Sequence, residues 1–107
     1  MIVLYTTWPN QTSADACAEA LVDARLAACV HMLAEGRSVY RWQGAVARDP
    51  ETVMLIKTSA ANAAAARELI ESRHPYDLPC IIALPVDVET SLAPFLAWVE
   101  QETRQVP

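Results

Sequence analysis

Glycine is scarce in this chain. Only Gly36 and Gly44 occur in 107 residues, too few for a glycine-rich loop that cradles phosphate. There is no GxSxG, no HExxH and no obvious nucleophile–base pair, so the usual hydrolase and metalloprotease signatures are missing. The three cysteines, Cys17, Cys29 and Cys80, are an odd set without a CxxC pair. A disulfide framework is therefore not expected, and the cytoplasm is the expected compartment. No run approaches the roughly 20 apolar residues of a membrane span. The opening Met1-Ile2-Val3-Leu4-Tyr5 lacks the basic lead of a secretion signal. Basic residues do not cluster, and the formal charge is −5. Neither nucleic acid nor an anionic membrane is an expected partner.

What remains is a chain of 53% hydrophobic and 20% charged residues, sufficient to fill a core at the length of one domain. Residues 1–107 are read as a single domain without repeats or linker. Ile2–Thr6 reads as a short apolar strand. Thr12 or Ser13 is expected to cap a helix that places Asp15 near its start, buries Cys17 and Leu21, and ends near Arg25–Leu26. Ala28–Leu33 reads as a second strand, and Ser38–Trp42 as a separate strand-like piece after the turn signal Glu35-Gly36. Gln43-Gly44 marks another turn. Thr52–Thr58 reads as a long strand. Ser59 is expected to open a helix that must stop before Pro75. Cys80–Val86 is the last strand. Ser91 is expected to cap a final helix with Pro94 in its first turn. The order βαββαβ plus a C-terminal helix is the split βαβ pattern, an α+β fold. It implies a four-stranded antiparallel sheet with helices on one face.

The strands do not suit a sheet that is wet on one side. Such a sheet alternates apolar and polar residues. Ile2-Val3-Leu4-Tyr5, Val53-Met54-Leu55-Ile56 and Ile81-Ile82-Ala83-Leu84 are apolar without a break. The helices cover one face only, and the other would be an apolar patch too large for a soluble monomer. A closed, symmetric assembly of identical copies solves this directly; a last helix folded across the open face is the alternative.

Several residues are candidates for chemistry. Cys29 and His31 share one face of a strand, and thiolate with imidazole suits copper or zinc. Two ligands do not make a site, and packing is the plainer reading of a free cysteine. Cys80 lies on the last strand. The second and fourth strands of a split βαβ sheet are its opposite edges, so Cys80 can join Cys29 only across a subunit boundary. His74-Pro75-Tyr76-Asp77-Leu78-Pro79 is a stiff, shaped connection. There His74 and Asp77 would hold a cation or ligand, or else finish the helix and make a turn bond. Tyr40 and Trp42 share a face and are typical interface anchors.

Taken in order, Arg25-Leu26-Ala27-Ala28-Cys29-Val30, Ser38-Val39-Tyr40-Arg41-Trp42-Gln43-Gly44, Ile56-Lys57-Thr58, His74-Pro75-Tyr76-Asp77-Leu78-Pro79 and Phe95-Leu96-Ala97-Trp98 resemble the CutA divalent-cation tolerance proteins. The resemblance spans nearly the whole chain. It implies a ferredoxin-like subunit in a very stable homotrimer similar to the PII signalling proteins. It also implies copper tolerance and no settled catalytic activity. Cys29, His74, Pro75, Tyr76, Tyr40, Trp42 and Gly44 match the family pattern. Asp77 stands where the family has Glu, His31 where it has Asn, and Cys80 where it has Glu. The copper-binding bacterial members carry Cys at the position of Thr6 and His at that of Arg73. Here only His74 is retained of those three.

The reading that follows is a trimeric, non-catalytic tolerance protein binding copper or another divalent cation weakly at inter-subunit clefts. His74, Cys29, His31 and Cys80 are the metal candidates. Tyr40, Trp42, Lys57, Pro75, Tyr76 and Asp77 line the cleft or interface, and no cofactor is needed for folding. A PII-like metabolite sensor or stable scaffold is the alternative, with Arg37, Arg41 and Lys57 as anion contacts. A small hydrolase or transferase using His74 and Asp77 has only their proximity to support it.

Overall fold

A computed structural model describes residues 1–105. The elements are β1 Ile2–Trp8, α1 Gln11–Asp23, β2 Cys29–Trp42, β3 Ala45–Thr58, α2 Ala63–Arg73, β4 Ile81–Pro85 and α3 Ala93–Glu102. The four strands form one antiparallel sheet in the order β2-β3-β1-β4. The expected α+β split βαβ topology is present, with β2 and β4 at opposite edges.

Local chemistry moves several expected boundaries. Asn10, not Thr12 or Ser13, caps α1, and its side chain accepts from the Ser13 N–H at 2.8 Å. Asp15 consequently falls outside the first turn. Arg25 adopts a left-handed φ of 58° and stops the chain from continuing as helix. Ser59 does not open α2. It lies four residues earlier and accepts from Asn62 Nδ2 at 2.7 Å. Ser91 does not cap α3 either, because its hydroxyl donates to the Asp87 carbonyl and Leu92 occupies the cap position. Pro94 does sit in the first turn of α3, where the missing N–H is harmless.

The largest difference lies in β2 and β3. The two short pieces expected at Ala28–Leu33 and Ser38–Trp42 are one strand of 14 residues. Between Leu33 paired with Val53 and Gly36 paired with Glu51, β2 holds one residue more than β3. This is a β-bulge, with Glu35 at φ 63°. Gly36 is required there, because a Cβ would lie 2.9 Å from the Glu51 carbonyl oxygen. The chain thus bulges where a turn was expected. The turn at Gln43-Gly44 is real: both residues have positive φ, 49° and 80°, the geometry that closes a two-residue hairpin. β3 runs back from Ala45, seven residues earlier than the expected Thr52. Since β1 stops at Trp8, which pairs with Thr52, residues 36–51 form a two-stranded arm beyond the body of the sheet. Pro50 is tolerated because β3 has no β1 neighbour at that level.

On the helix side of the sheet, Leu4, Trp8, Met54 and Ile56 pack against Ala14, Cys17, Ala18 and Leu21 of α1 and Ala66 and Ile70 of α2. Small residues on α1 let it approach closely, and each fully buried large side chain contributes about 1.5–3 kcal/mol. Cys17 is part of this core; burial pushes its thiol up to about 11, against a smaller opposing effect of Arg73.

The other side carries Val3, Tyr5 and Thr7 of β1, Val53, Leu55 and Lys57 of β3, Cys29, His31 and Leu33 of β2, and Ile82 and Leu84 of β4. Directly paired residues share a face, so the register fixes this set. α3 does not close it. Its last turn is tied to the ends of α1 and β3, with Arg25 Nη1 donating to the Glu102 carbonyl at 3.1 Å and Asn62 Nδ2 to the Thr103 carbonyl at 2.7 Å. Leu33, Ile82 and Leu84 stay 49%, 50% and 45% exposed. The two-faced apolar pattern therefore leaves a real, uncovered apolar sheet face in the single chain.

Candidate functional site at the root of the arm

The bulge decides which side chains meet. Before it, odd-numbered residues of β2 face the uncovered side; after it, even-numbered ones do. Tyr40 and Trp42 therefore join Cys29 and His31 on one face, together with Asp49 and Glu51 of β3. An unbulged strand would send Tyr40 and Trp42 to the helix side.

Where β1 ends, three aromatic rings stack in series. Trp8 lies 4.3 Å from His74 between ring centroids, and His74 lies 4.9 Å from Tyr76. Trp8 is fully buried and donates from Nε1 to Thr6 Oγ1 at 2.8 Å. That hydroxyl in turn donates to the Met54 carbonyl at 3.2 Å, so Thr6 is fully occupied as a structural link. His74 is also buried. Its Nε2 faces the Thr7 carbonyl at 2.7 Å, and its Nδ1 accepts the Tyr76 N–H at 3.1 Å. A carbonyl only accepts, so Nε2 carries the proton and the ring is neutral. Both nitrogens are committed, and His74 acts here as a pin between β1 and the loop after α2.

The pin delivers Tyr76 to the acidic side of the arm. Burial raises the Tyr76 phenol, and the negative charges of Glu51 and Asp49 raise it further. The Tyr40 hydroxyl donates to Asp49 Oδ2. That bond, ahead of desolvation and the charge of Asp49, pushes its pKa up to about 12. Glu51 Oε2 is buried without a hydrogen-bond partner among the described residues. The cluster holds two protonated phenols, one engaged carboxylate and one carboxylate oxygen with spare capacity.

The Tyr40 bond gives a direct test. Because the folded pKa is raised, the bond is intact below pH 10 and is lost as pH rises from 10 to about 12. In an NMR titration of labelled tyrosine rings, Tyr40 is expected to deprotonate near pH 12. Asp49→Asn should return its midpoint towards the ordinary value near 10. A Tyr40 midpoint unchanged by the substitution would remove Asp49 as the cause.

The remaining sequence candidates are spread out. Lys57 is paired with Cys29 and with Val3 in one cross-strand row on the uncovered face, and His31 lies in the adjacent row, paired with Leu55. Cys80 precedes the opposite edge strand, and all three cysteines are free. Trp42 stands exposed at the tip of the arm, and Pro75 and Asp77 are exposed on the loop. Arg37 and Arg41 point to the helix side of the arm, away from Lys57, so the three anion contacts do not converge. Among the described residues, no three His, Cys, Asp or Glu side chains are placed to hold a metal ion. Trp8, Asp49 and Glu51 were not expected at the site. Trp8 reads as turn packing, and the two acids lie beside Pro50 in a run that does not read as strand.

Fold and site together define a small α+β subunit with a projecting hairpin arm and one uncovered sheet face. Residues 2–102 match the family described as CutA1 divalent ion tolerance protein, and the chain belongs to that family. It is 41% identical over 102 residues to Protein CutA of Mus musculus, covering 95% of this chain and 56% of that protein. It is 38% identical over 101 residues to the divalent-cation tolerance protein CutA of Thermus thermophilus, covering 94% and 96%. The chain thus spans little more than half of its mammalian relatives and nearly all of the bacterial one. The crystal structure of CutA from Xylella fastidiosa superposes with a TM-score of 0.91 at 38% identity, covering 96% and 97% of the two chains. The PII-like protein CutA from Nostoc gives 0.91 at 29% identity, covering 97% and 98%. No helix among the described residues is long and apolar enough to cross a membrane.

Proposed function

We propose that this chain is a non-catalytic divalent-cation tolerance protein of the cytoplasm. It assembles as a homotrimer through its uncovered sheet face and binds copper or another divalent cation weakly where subunits meet. The observation that carries the reading is that uncovered apolar face, with Cys29 and His31 two residues apart on its edge strand. A thiol and an imidazole suit copper, but one chain supplies only this pair. Cys80 of a neighbouring copy is the natural third donor, because β2 and β4 are opposite edges of the sheet. His74 joins such a site only by giving up its bond to Thr7 or to the Tyr76 N–H; its main role is to position Tyr76. No cofactor is required for folding in this reading, which the continuous apolar core supports. The net charge of −5 disfavours nucleic acid and anionic membrane as partners.

Calorimetric titration with Cu(II) and Zn(II) tests this reading. Cys29→Ser with His31→Ala is expected to weaken binding by more than about tenfold, a scale that outer-shell partners alone reach. His74→Ala should change it less. Unchanged binding in the Cys29/His31 variant would remove the pair from the site. A PII-like sensor is the second reading, favoured by the unpartnered Glu51 Oε2 beside two phenols. It calls for a small ligand that donates hydrogen bonds there, and ligand-dependent thermal stabilisation lost in Glu51→Gln would reveal it.

A further inference from the structure

The arm has a second face that the site does not use. Opposite Tyr40 and Asp49, the register puts Arg37, Val39 and Arg41 beside Val46, Arg48 and Pro50. All six are exposed. The chain has 8 Lys and Arg residues in all, and three of them stand here without an ion pair among the described residues.

The bulge that gathers the site also sorts the charges. Asp49 and Glu51, the acids of the returning strand, fall on the Tyr40 side. Asp49 is engaged there by the Tyr40 hydroxyl, and Glu51 Oε2 is buried there, so neither faces the arginines. A chain of net charge −5 therefore carries a face whose only charges are positive.

The three guanidiniums are placed to converge. Arg48 pairs directly with Val39, and Val39 lies between Arg37 and Arg41 on β2. Arg48 is thus the diagonal neighbour of both, about 7–8 Å away, within reach of long side chains. Arg37 and Arg41 are four residues apart, roughly 13 Å along the strand. A single phosphate or carboxylate matches one planar fork. Bridging three forks over that span takes an anion whose charge repeats along a chain. Long nucleic acid is a poor fit, since it would run past the arm onto the acidic remainder of the molecule. A short chain stays on the arm.

We infer that Arg37, Arg41 and Arg48 form a binding site for a short phosphate chain, either a free oligophosphate or the phosphate chain of a nucleotide. Each guanidinium donates its fork to phosphate oxygens. Val39 and Val46, 61% and 51% exposed, supply an apolar floor between the forks. The site lies within one chain. It needs neither the uncovered sheet face nor the Tyr40 cluster, so it stands or falls independently of assembly.

Calorimetric titration of the native protein with inorganic tripolyphosphate at low ionic strength tests the site. Arg48→Gln is expected to weaken binding about tenfold, or about 1.4 kcal/mol, as for one hydrogen bond to a charged group. Arg48→Lys should weaken it by less, because the charge stays and the fork is lost. Arg37→Gln, Arg41→Gln and Arg48→Gln combined should abolish it. All three positions are exposed, and a native far-ultraviolet circular dichroism spectrum checks that the variant folds. Arg67→Gln, at a guanidinium paired with Glu71 on α2, should bind as the native chain does. A nucleoside triphosphate is titrated alongside. Equal or weaker affinity for it assigns the free phosphate chain. Tighter binding that Val39→Ser returns to the tripolyphosphate level assigns a nucleotide whose base rests on the valines. A native protein that binds neither compound, a triple variant that binds as well as the native chain, or citrate bound as tightly as tripolyphosphate would overturn the site.

Discussion

Trp8→Ala is expected to lower the stability of the fold by about 3–5 kcal/mol, the range for truncating a large buried aromatic. Trp8 is fully buried at the end of β1, so the deletion leaves a cavity that cannot fill with water unless the site opens. Three further losses add to the missing volume. Thr6 Oγ1 loses the indole donor at 2.8 Å, His74 loses the ring stacked at 4.3 Å, and the pin that holds Tyr76 loses its backing. Trp8→Phe keeps most of the volume and a ring for His74 but forfeits the donor, and should cost about 1–2 kcal/mol. Urea unfolding at fixed protein concentration measures both, since the stability of an assembling chain depends on concentration. A Trp8→Ala loss below about 1 kcal/mol would mean that the aromatic series is not a structural unit.

The second large effect concerns assembly. Leu33→Asp combined with Ile82→Asp puts carboxylates on the uncovered face at the two edge strands. Both side chains are about half exposed in the single chain, so the subunit fold should tolerate the change. If neighbouring copies cover that face, each carboxylate is buried without a partner, at a cost of several kcal/mol. The double variant is expected to be a folded monomer, with native far-ultraviolet circular dichroism and one-third of the native mass. Val22→Asp provides the control. Val22 is 44% exposed on α1, on the helix side, and its substitution should leave the mass unchanged. A double variant that keeps the native mass would show that the face is not where copies meet.

Much of the fold was legible in the residues. Unbroken apolar strands, helix patterns and Pro75 define the split βαβ order, and the absence of alternation in Val53-Met54-Leu55-Ile56 exposes the second face. Asn10 caps α1 by a purely local bond from the Ser13 N–H, a cap that local propensity allows as readily as Thr12 or Ser13, whereas Asn62 is held before α2 by a tertiary bond to the Thr103 carbonyl that no local pattern contains. The arm was half legible. Gln43-Gly44 announces a tight turn, but Pro50 disguises the returning strand, and its tolerance depends on β1 ending opposite Thr52. The site was least legible of all. His74 and Tyr76 stand out by composition, yet whether Tyr40 meets them depends on one extra residue in β2. A bulge shifts the parity of every later side chain, and only the clash that a Cβ at Gly36 would make with Glu51 marks where it falls. His74 shows the limit most clearly: its sequence context suggests a ligand, but the carbonyl of Thr7 and the N–H of Tyr76 occupy both its nitrogens.

Copies of this chain are expected to shield the sheet face that its own helices leave bare. Sedimentation of the native protein across the micromolar range tests that claim most directly. The prediction is one species at three times the 11.7 kDa chain mass, persisting on dilution. A stable, folded species at the mass of a single chain would contradict it.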